Sequence, residues 1–293
     1  MEFLEQLEAK ILEVNKALHK YLEEKDNPQA TIYKAMDYSL HAGGKRIRPV
    51  LMLACAELMG AEQEKVMPFA CSMEMIHTYS LIHDDLPCMD DDDLRRGKPT
   101  NHKVYGEAMA VLAGDGLLNL AYETILKYSQ VSPNMTLAAM AMIAESSGVE
   151  GMIGGQVIDL ESEGKTVDAI TLMTMHLQKT AALIMASAKV GALLGGGGRD
   201  DLIAMEEFAR YLGIAFQIKD DILDVSGNEA VLGKSVGSDA ENEKSTFVTI
   251  YGLEQSEKML EDYTQKAIDV LSKYGAKAEF LMNLSNFLLD RDR

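Results

Sequence analysis

Tryptophan is absent from this chain of 293 residues, cysteine occurs three times, and aromatic residues make up only 6% of it. The cysteines Cys55, Cys71 and Cys88 form no CxxC pair and no metal-ligand spacing, which is typical of reduced thiols in a cytosolic protein. Basic residues are also scarce. The chain has 28 of them against 46 acidic residues, which gives a formal net charge of −18. This charge argues against a general nucleic-acid or anionic-membrane binder.

Long hydrophobic runs and a secretory leader are missing as well. The segment 1–20 is amphipathic and mixed in charge, without a cationic stretch followed by an apolar core. No apolar run approaches the roughly 20 residues that span a bilayer. We therefore expect a cytoplasmic protein with no nucleic-acid partner and no stable membrane association.

Helical periodicity is what the sequence does contain. Ala, Leu, Met, Glu and Lys fill the long segments, and strand-like alternation is nearly absent. Gly and Pro occur at intervals suited to helix ends, and Ser132-Pro133 is typical of an N-cap followed by proline at the first helical position. We predict one all-α domain over residues 1–293, with roughly ten or more helices.

An aspartate-rich segment covers residues 84–93. His77 and Asp84 are seven positions apart and share a helix face. Pro87 cannot continue the helical hydrogen bonds, so we expect the helix to distort or end near Asp85. This irregularity could bring Asp84 and Asp90 to one metal ion. An acidic helix-capping loop is the alternative interpretation.

A second aspartate-rich segment follows the same logic on another helix. Gln217, Asp220, Asp221 and Asp224 occupy positions i, i+3, i+4 and i+7, which gives three carboxylates and an amide along one stripe. Such carboxylates repel one another, and a cation removes that penalty. Hard divalent cations favour carboxylate oxygens, so the two segments predict a site that holds a diphosphate through bridging metal ions.

Basic residues cluster near these segments. Lys45, Arg46 and Arg48 lie between Gly43-Gly44 and Pro49, where a loop that leads into a helix could bind an anion. Arg95 and Arg96 follow the first acidic segment directly, and arginine suits bidentate phosphate binding. Taken singly, each could be a surface charge. Further candidates are Lys179 with Thr180, Lys234 and Lys244.

The strings GGKRIRP, DDLPCMDDDDLRRG, KT at 179–180 and FQIKDDILD resemble the motifs of trans-isoprenyl diphosphate synthases, and the surrounding sequence is especially similar to bacterial farnesyl diphosphate synthases. The likeness runs from about residue 30 to the C-terminus. It implies an isoprenoid synthase fold, in which long helices surround a central catalytic cavity with the two acidic segments facing each other. It also implies a homodimer.

The resemblance implies metal and substrate sites residue by residue. Mg²⁺, roughly three ions per active site with Mn²⁺ as an alternative, would bind Asp84, Asp85 and Asp90 on one side and Asp220, Asp221 and Asp224 on the other. Arg95, Lys179 and Lys234, with Lys244 as a weaker candidate, would contact the allylic diphosphate. Isopentenyl diphosphate would bind Lys45, Arg48, His77 and Arg96. Thr180 and Gln217 would lie beside the allylic cation and act with Lys179 as catalytic residues. Asp159 matches a family segment near the allylic site. Arg46 belongs to the first basic motif, but no substrate or metal is assigned to it.

Product length would depend on Tyr79 and Ser80, which lie five and four residues before Asp84 and therefore roughly 6–8 Å deeper in the pocket. An aromatic residue at 79 and a small one at 80 resemble farnesyl enzymes, and an ordinary core aromatic is the alternative interpretation of Tyr79. Three alternatives stay open, namely a geranylgeranyl diphosphate synthase, a terpene cyclase and a non-catalytic subunit of a heteromeric synthase.

Overall fold

The computed structural model describes residues 2–23, 25–226 and 245–289. These residues form fourteen α-helices and a single pair of two-residue strands, Leu94–Arg95 and Lys98–Pro99, which are antiparallel. The predicted all-α class is therefore confirmed. The helices are α1 (Phe3–Tyr21), α2 (Ala30–Leu40), α3 (Ile47–Met59), α4 (Gln63–Asp84), α5 (Asn101–Tyr105), α6 (Glu107–Tyr128), α7 (Pro133–Ser147), α8 (Met152–Ser162), α9 (Ala169–His176), α10 (Ala182–Leu194), α11 (Arg199–Ser226), α12 (Phe247–Tyr251), α13 (Leu253–Leu271) and α14 (Glu279–Leu289).

Helix ends follow local chemistry. Ser132 caps α7 by accepting a hydrogen bond from the Met135 N–H, and Pro133 occupies the first helical position as predicted. Gly60 ends α3 with a φ of 101°, a left-handed conformation that glycine adopts without a steric penalty. A π-helical segment, Leu177–Ala181, connects α9 to α10.

Helix α4 is buried on all sides and packs against α1, α2, α3, α6, α7 and α10. Val66, Phe69, Met73 and Ile76 are fully buried along it. A helix that is apolar all round belongs in the interior of a bundle. Since the first acidic segment begins at the C-terminal end of α4, a helix from the interior of the bundle carries that segment.

A buried arginine joins the first four helices. Arg46 lies just before α3 with a φ of 51° and is 3% exposed. Its guanidinium donates to Glu74 Oε1 at 2.6 Å, Asn15 Oδ1 at 2.9 Å and the Leu40 carbonyl oxygen at 2.5 Å. The guanidinium of Arg46 is therefore hydrogen-bonded to protein groups on α1, α2 and α4. This agrees with the sequence analysis, which assigned no substrate or metal to Arg46.

Two segments are long and apolar enough to cross a membrane by length and composition alone. They are α6 and the continuous helical stretch Ala169–Leu194. In the most apolar window of each, 39% and 56% of residues respectively are buried within the protein. Packing in the bundle accounts for the hydropathy of the second stretch, while α6 keeps an exposed apolar face.

Candidate active site

The first acidic segment begins where α4 ends, at Asp84, as Pro87 predicts. The chain then turns back, so that the Asp90 N–H donates to the Asp84 carbonyl oxygen at 2.9 Å. Burial raises the pKa of Asp84, and the charges of Asp90 and Asp159 add to the rise while Lys179 opposes it. The backbone of Asp90 thus returns to Asp84, and the binding of one metal ion by both side chains stays a prediction.

Asp85 is buried and pairs with Arg95. Arg95 Nε donates to Asp85 Oδ1 at 2.8 Å, its Nη2 donates to the same oxygen, and Nη2 also donates to Asp92 Oδ2 at 3.0 Å. Burial raises the pKa of Asp85 to about 6, although the hydrogen bond and charge of Arg95 act in the opposite direction. Arg95 therefore already binds two carboxylates of the segment that precedes it.

Lys179 and Thr180 lie in the π-helical segment, a rare conformation that is frequent at functional sites. Lys179 Nζ lies 2.5 Å from Asp159 Oδ2 on α8 and 4.0 Å from Asp84 Oδ1 at the end of α4. Helix α8 approaches this segment at Gly155, where a β-carbon would overlap the Lys179 backbone. The missing side chain of Gly155 thus lets the ammonium group lie between two carboxylates.

The second acidic segment, on α11, faces the same π-helical segment. Thr180 Oγ1 donates to Gln217 Oε1 at 3.0 Å, and Gln217 Nε2 donates to Asp221 Oδ1 at 2.9 Å. Asp221 Oδ2 accepts the Phe247 N–H at 2.7 Å, at the start of α12. Because Lys179 contacts the first acidic segment and Thr180 contacts the second, two consecutive residues bring the segments together.

Asp220 and Asp224 complete the second segment. Asp220 is half-buried and Asp224 is only 2% exposed. Asp220 lies close enough to Arg48 for its charge to act on that guanidinium. The stripe along α11 therefore contacts Thr180 through Gln217 and acts on Arg48, in the first turn of α3, through Asp220.

Arg48, His77 and Arg96 form a basic cluster, to which half-buried Lys45 belongs by sequence. Arg96 donates to the Gly43 carbonyl oxygen and lies so close to Gly44 that a β-carbon there would overlap the guanidinium. Gly44 has a φ of 118°, so glycine is required for its backbone as well as for this contact. Arg96, which follows the first acidic segment, therefore contacts both glycines of the predicted anion-binding loop.

The electrostatics of the basic cluster favour an anion. Burial lowers the pKa of Arg48 to about 10, with Arg96 adding to the effect and Glu74 and Asp220 opposing it. Burial also lowers the pKa of His77 well below its usual value, and Arg48 and Arg96 lower it further, so His77 is neutral. Within the described residues, Arg48 Nε has no hydrogen-bond partner. A buried, unpaired guanidinium N–H fits an anionic ligand.

Gln156 is a site residue that sequence reasoning missed. Its Nε2 donates to Asp84 Oδ1 at 2.6 Å, next to the contact with Lys179. Gln156 and Asp159 are three positions apart on α8 and therefore share a face. The sequence signal for Gln156 was this three-residue spacing, because it places the Gln156 amide and the Asp159 carboxylate on the same face of α8.

Tyr79 is 6% exposed and belongs to the main hydrophobic core. It packs edge-on against His83, with ring centroids 5.7 Å apart, and its hydroxyl has no hydrogen-bond partner among the described residues. Burial raises the pKa of Tyr79 to about 12, and Tyr122 on α6 adds to the rise. Ser80 is half-buried, and its Oγ donates to the His77 carbonyl oxygen at 2.8 Å. Control of product length by these two residues stays a prediction.

Two predicted site residues, Lys234 and Lys244, lie outside the described residues. A separate cavity of about 470 Å³ lies between α1, α3 and the start of α14, lined by Phe3, Glu57 and Phe280 among others. It contains none of the predicted site residues. The candidate site is therefore the region where α4, α8, α11 and the π-helical segment meet.

A helical bundle in which two aspartate segments meet beside a basic cluster has the fold of an isoprenyl synthase. The polyprenyl synthetase family model matches residues 29–279, and the chain belongs to this family. It is a trans-prenyltransferase, so the predicted family, fold and enzyme class are confirmed.

Named relatives include synthases of more than one product. The chain is 48% identical over 256 residues to a farnesyl diphosphate synthase of Geobacillus stearothermophilus, covering 87% of this chain and 86% of that protein. It is 46% identical over 297 residues to the heterodimeric geranylgeranyl pyrophosphate synthase large subunit 1 of Arabidopsis thaliana, a chloroplastic protein, covering 99% and 80%. The crystal structure of an FPP/GFPP synthase from Zymomonas mobilis superimposes with a TM-score of 0.88 at 34% identity, covering 98% of each chain.

Proposed function

We propose that the protein condenses isopentenyl diphosphate with dimethylallyl diphosphate and then with geranyl diphosphate, and that farnesyl diphosphate is its main product. The observation that carries this proposal is the π-helical segment, whose Lys179 and Thr180 contact the first and second acidic segments respectively. The basic cluster supplies a second place for a diphosphate. The Geobacillus relative supports the choice of product.

A divalent metal fits the acidic segments. Asp84 and Asp90 converge, and burial together with the charge of Asp90 raises the pKa of Asp84. A cation removes that cost, and carboxylate oxygens are ligands that Mg²⁺ prefers. We assign Mg²⁺, roughly three ions with Mn²⁺ as an alternative, to Asp84, Asp85 and Asp90 and to Asp220, Asp221 and Asp224. When bound, the metal supplies positive charge that neutralises the departing diphosphate.

Ionisation of the allylic substrate comes first. Lys179 and Arg95, with Lys234 and to a lesser extent Lys244, bind the allylic diphosphate. The C1–O bond breaks and its electron pair leaves with the diphosphate oxygen, where the ammonium group of Lys179 stabilises the charge. Thr180 Oγ1 donates to Gln217, so its remaining lone pairs can face the cationic carbon.

Coupling follows at the second diphosphate site. Lys45, Arg48, neutral His77 and Arg96 hold isopentenyl diphosphate through its own phosphates. The C3–C4 double bond attacks C1 of the allylic cation, which forms a carbon–carbon bond and leaves positive charge on C3. Loss of a proton from C2 then forms the new alkene, and the released diphosphate takes that proton. Water must be excluded throughout, since it would hydrolyse the cation.

The test is incorporation of radiolabelled isopentenyl diphosphate by the purified chain, with and without Mg²⁺, followed by chromatography of the products. Metal-dependent farnesyl diphosphate from both dimethylallyl and geranyl starters supports the proposal. A geranylgeranyl main product would establish the second candidate, which the Arabidopsis relative favours. Cyclic hydrocarbons, or no incorporation at all, would overturn the proposal in favour of a cyclase or a non-catalytic subunit.

The chain is further proposed to act in the cytoplasm as a single catalytic domain and as a homodimer, without nucleic-acid or membrane partners. Support for the dimer comes from α6, whose Val111, Leu112 and Leu126 are 40%, 54% and 66% exposed along one side. Exposed apolar stripes of this kind mark protein interfaces. Light scattering should give a dimer mass for the natural chain and a monomer mass for Leu126→Glu. Ile170→Glu on α9, where the isoleucine is 77% exposed, is the matched control that should stay dimeric.

A further inference from the structure

Arg96 lies at the tip of a tight hairpin. The strands Leu94–Arg95 and Lys98–Pro99 pair directly, so Arg96 and Gly97 alone form the connecting turn. Their φ angles are 55° and 74°, the pattern of a two-residue turn between antiparallel strands. A residue with a β-carbon meets a steric penalty in this left-handed conformation. The backbone of Arg96 is therefore strained.

A strained turn persists only where neighbouring groups hold it in place. Strands of two residues are too short to do so alone. The base of the hairpin is held by Thr100, whose N–H donates to the Asp93 carbonyl oxygen at 3.0 Å and whose Oγ1 donates to the Asp92 carbonyl oxygen at 2.7 Å. Thr100 is 2% exposed, so these bonds are shielded from water.

Helix α2 holds the second strand of the hairpin. Tyr38 Oη donates to the Pro99 carbonyl oxygen at 2.7 Å. The residues that follow are anchored to the same helix, because Asn101 Nδ2 donates to the Ala35 carbonyl oxygen at 2.7 Å and to Ser39 Oγ at 2.8 Å. These contacts fix the position of the hairpin relative to α2.

Helix α2 also leads into the loop that Arg96 contacts. The helix ends at Leu40, and Gly43 and Gly44 follow three and four residues later. Arg96 donates to the Gly43 carbonyl oxygen, and its guanidinium lies against Gly44. One helix therefore places both parts of this contact, the loop through the continuous backbone and the hairpin through the hydroxyl of Tyr38.

We propose, on the basis of the function proposed above, that Tyr38 and Thr100 are positioning residues for the isopentenyl diphosphate site. They hold the guanidinium of Arg96 where it binds that diphosphate. Both act through the backbone of the hairpin, Tyr38 at Pro99 and Thr100 at Asp92. Their hydroxyl groups thus set the affinity for one of the two substrates.

The two arginines of the hairpin should respond differently when these contacts are lost. The guanidinium of Arg95 is bound directly by two carboxylates of the first acidic segment, which fix its position. The guanidinium of Arg96 contacts the Gly43 backbone, so its position depends on how the hairpin is placed relative to α2. Loss of the Tyr38 hydroxyl should therefore weaken the binding of isopentenyl diphosphate and spare that of geranyl diphosphate.

The experiment compares Tyr38→Phe with the matched control Tyr105→Phe. The two rings pack edge-on with centroids 5.7 Å apart, and Tyr105 Oη donates to the Lys34 carbonyl oxygen on α2 at 3.3 Å. Each variant keeps its ring and loses one hydroxyl. At saturating Mg²⁺, Tyr38→Phe should raise KM for isopentenyl diphosphate about fivefold, the effect of one lost hydrogen bond, without changing kcat or KM for geranyl diphosphate. Tyr105→Phe should match the natural chain.

Thr100 provides a second pair of variants. Thr100→Val keeps the shape of the side chain and removes the hydroxyl that donates to Asp92, so the same KM should rise about fivefold. Thr100→Ser keeps the hydroxyl and should retain the natural KM. A variant that only loses stability would lower the amount of active enzyme, and hence the apparent kcat, without raising KM for one substrate alone.

Binding measured without turnover separates this positioning role from the proposed function. Calorimetric titration with isopentenyl diphosphate in the absence of Mg²⁺ should show about fivefold weaker binding by Tyr38→Phe than by Tyr105→Phe. If this difference is found but the natural chain forms no product, the proposed function fails and the positioning role stands. Equal affinities of the two variants, or no binding by the natural chain, would overturn the positioning role.

Discussion

Replacing Tyr79 with alanine should lengthen the product from C15 to C20. Tyr79 is buried beneath the first acidic segment, five residues before Asp84 and therefore about 7.5 Å further along the axis of α4. The next side chains towards the start of the helix on that face are Met75 and Ile76, both fully buried. Removing the phenol ring thus moves the end of the pocket back to Met75.

The expected extension equals one isoprene unit. Met75 lies four residues before Tyr79, which corresponds to about 6 Å along the helix. A unit adds four carbons to the main chain of the product, a length comparable to one helical turn of about 5.4 Å. Chain growth should therefore continue by one condensation and stop again, with geranylgeranyl diphosphate as the main product.

The assay is chromatography of products formed from geranyl and isopentenyl diphosphates. Truncating a buried aromatic side chain costs about 3–5 kcal/mol, so circular dichroism must first establish that the variant is folded. Ser80→Phe is the opposing control, because a ring one residue nearer to Asp84 should shorten the product to C10. A folded Tyr79→Ala enzyme that still releases C15 would refute the assignment of Tyr79 as the end of the pocket.

Three further predictions follow from single contacts. Gln156→Leu removes the amide that donates to Asp84, so the Mg²⁺ concentration for half-maximal activity should rise about tenfold; an unchanged requirement would contradict this role. Burial lowers the pKa of His176 to about 4, so the folded state binds its proton more weakly than the unfolded chain does, and about 3 kcal/mol of stability should be lost as the pH falls from 6.5 to 4. His176→Phe should lose less stability in the same window, as measured by urea unfolding, and an identical pH profile would argue against it. Arg46→Ala leaves Glu74 buried without its partner and should cost about 3–5 kcal/mol, whereas Lys258→Ala, which breaks an exposed pair, should cost less than about 1 kcal/mol.

Local rules were enough to predict how α4 ends. Proline cannot donate a backbone hydrogen bond, so the position of Pro87 predicted that the helix would distort or end near Asp85, and it ends at Asp84. The return of the Asp90 backbone to Asp84 is compatible with that irregularity but was not dictated by it. Helical spacing likewise placed Gln217 and Asp221 on one face of α11, where they are hydrogen-bonded. These features depend on residues within one or two turns of each other.

Contacts between distant segments could not be predicted in the same way. Gln156 reaches Asp84 across 72 residues of sequence, and Lys179 meets Asp159 only because a π-helical segment packs against Gly155. The bond from Phe247 to Asp221 depends on where α12 begins. Hydrophobic periodicity gives the burial of each helix but does not fix which helices become neighbours.

The cluster formed by His19, Asp37 and His41, at the ends of α1 and α2, illustrates the same limit. Asp37 and His41 are four residues apart and could have been paired from the sequence, but His19 belongs to a different helix. Only the packing of α1 against the rest of the bundle brings its imidazole to the other two.

The most direct test of the catalytic account is the rate of isopentenyl diphosphate incorporation by Asp84→Asn and Asp220→Asn at saturating Mg²⁺. Each substitution keeps the size of the side chain and removes a charge, so folding should be preserved. If the two acidic segments act together on one diphosphate, kcat/KM should fall about a hundredfold or more in each variant, which corresponds to about 3 kcal/mol. Asp93→Asn, which alters an exposed aspartate of the first segment, should keep its activity. Incorporation at the natural rate by either Asp84→Asn or Asp220→Asn would contradict the account.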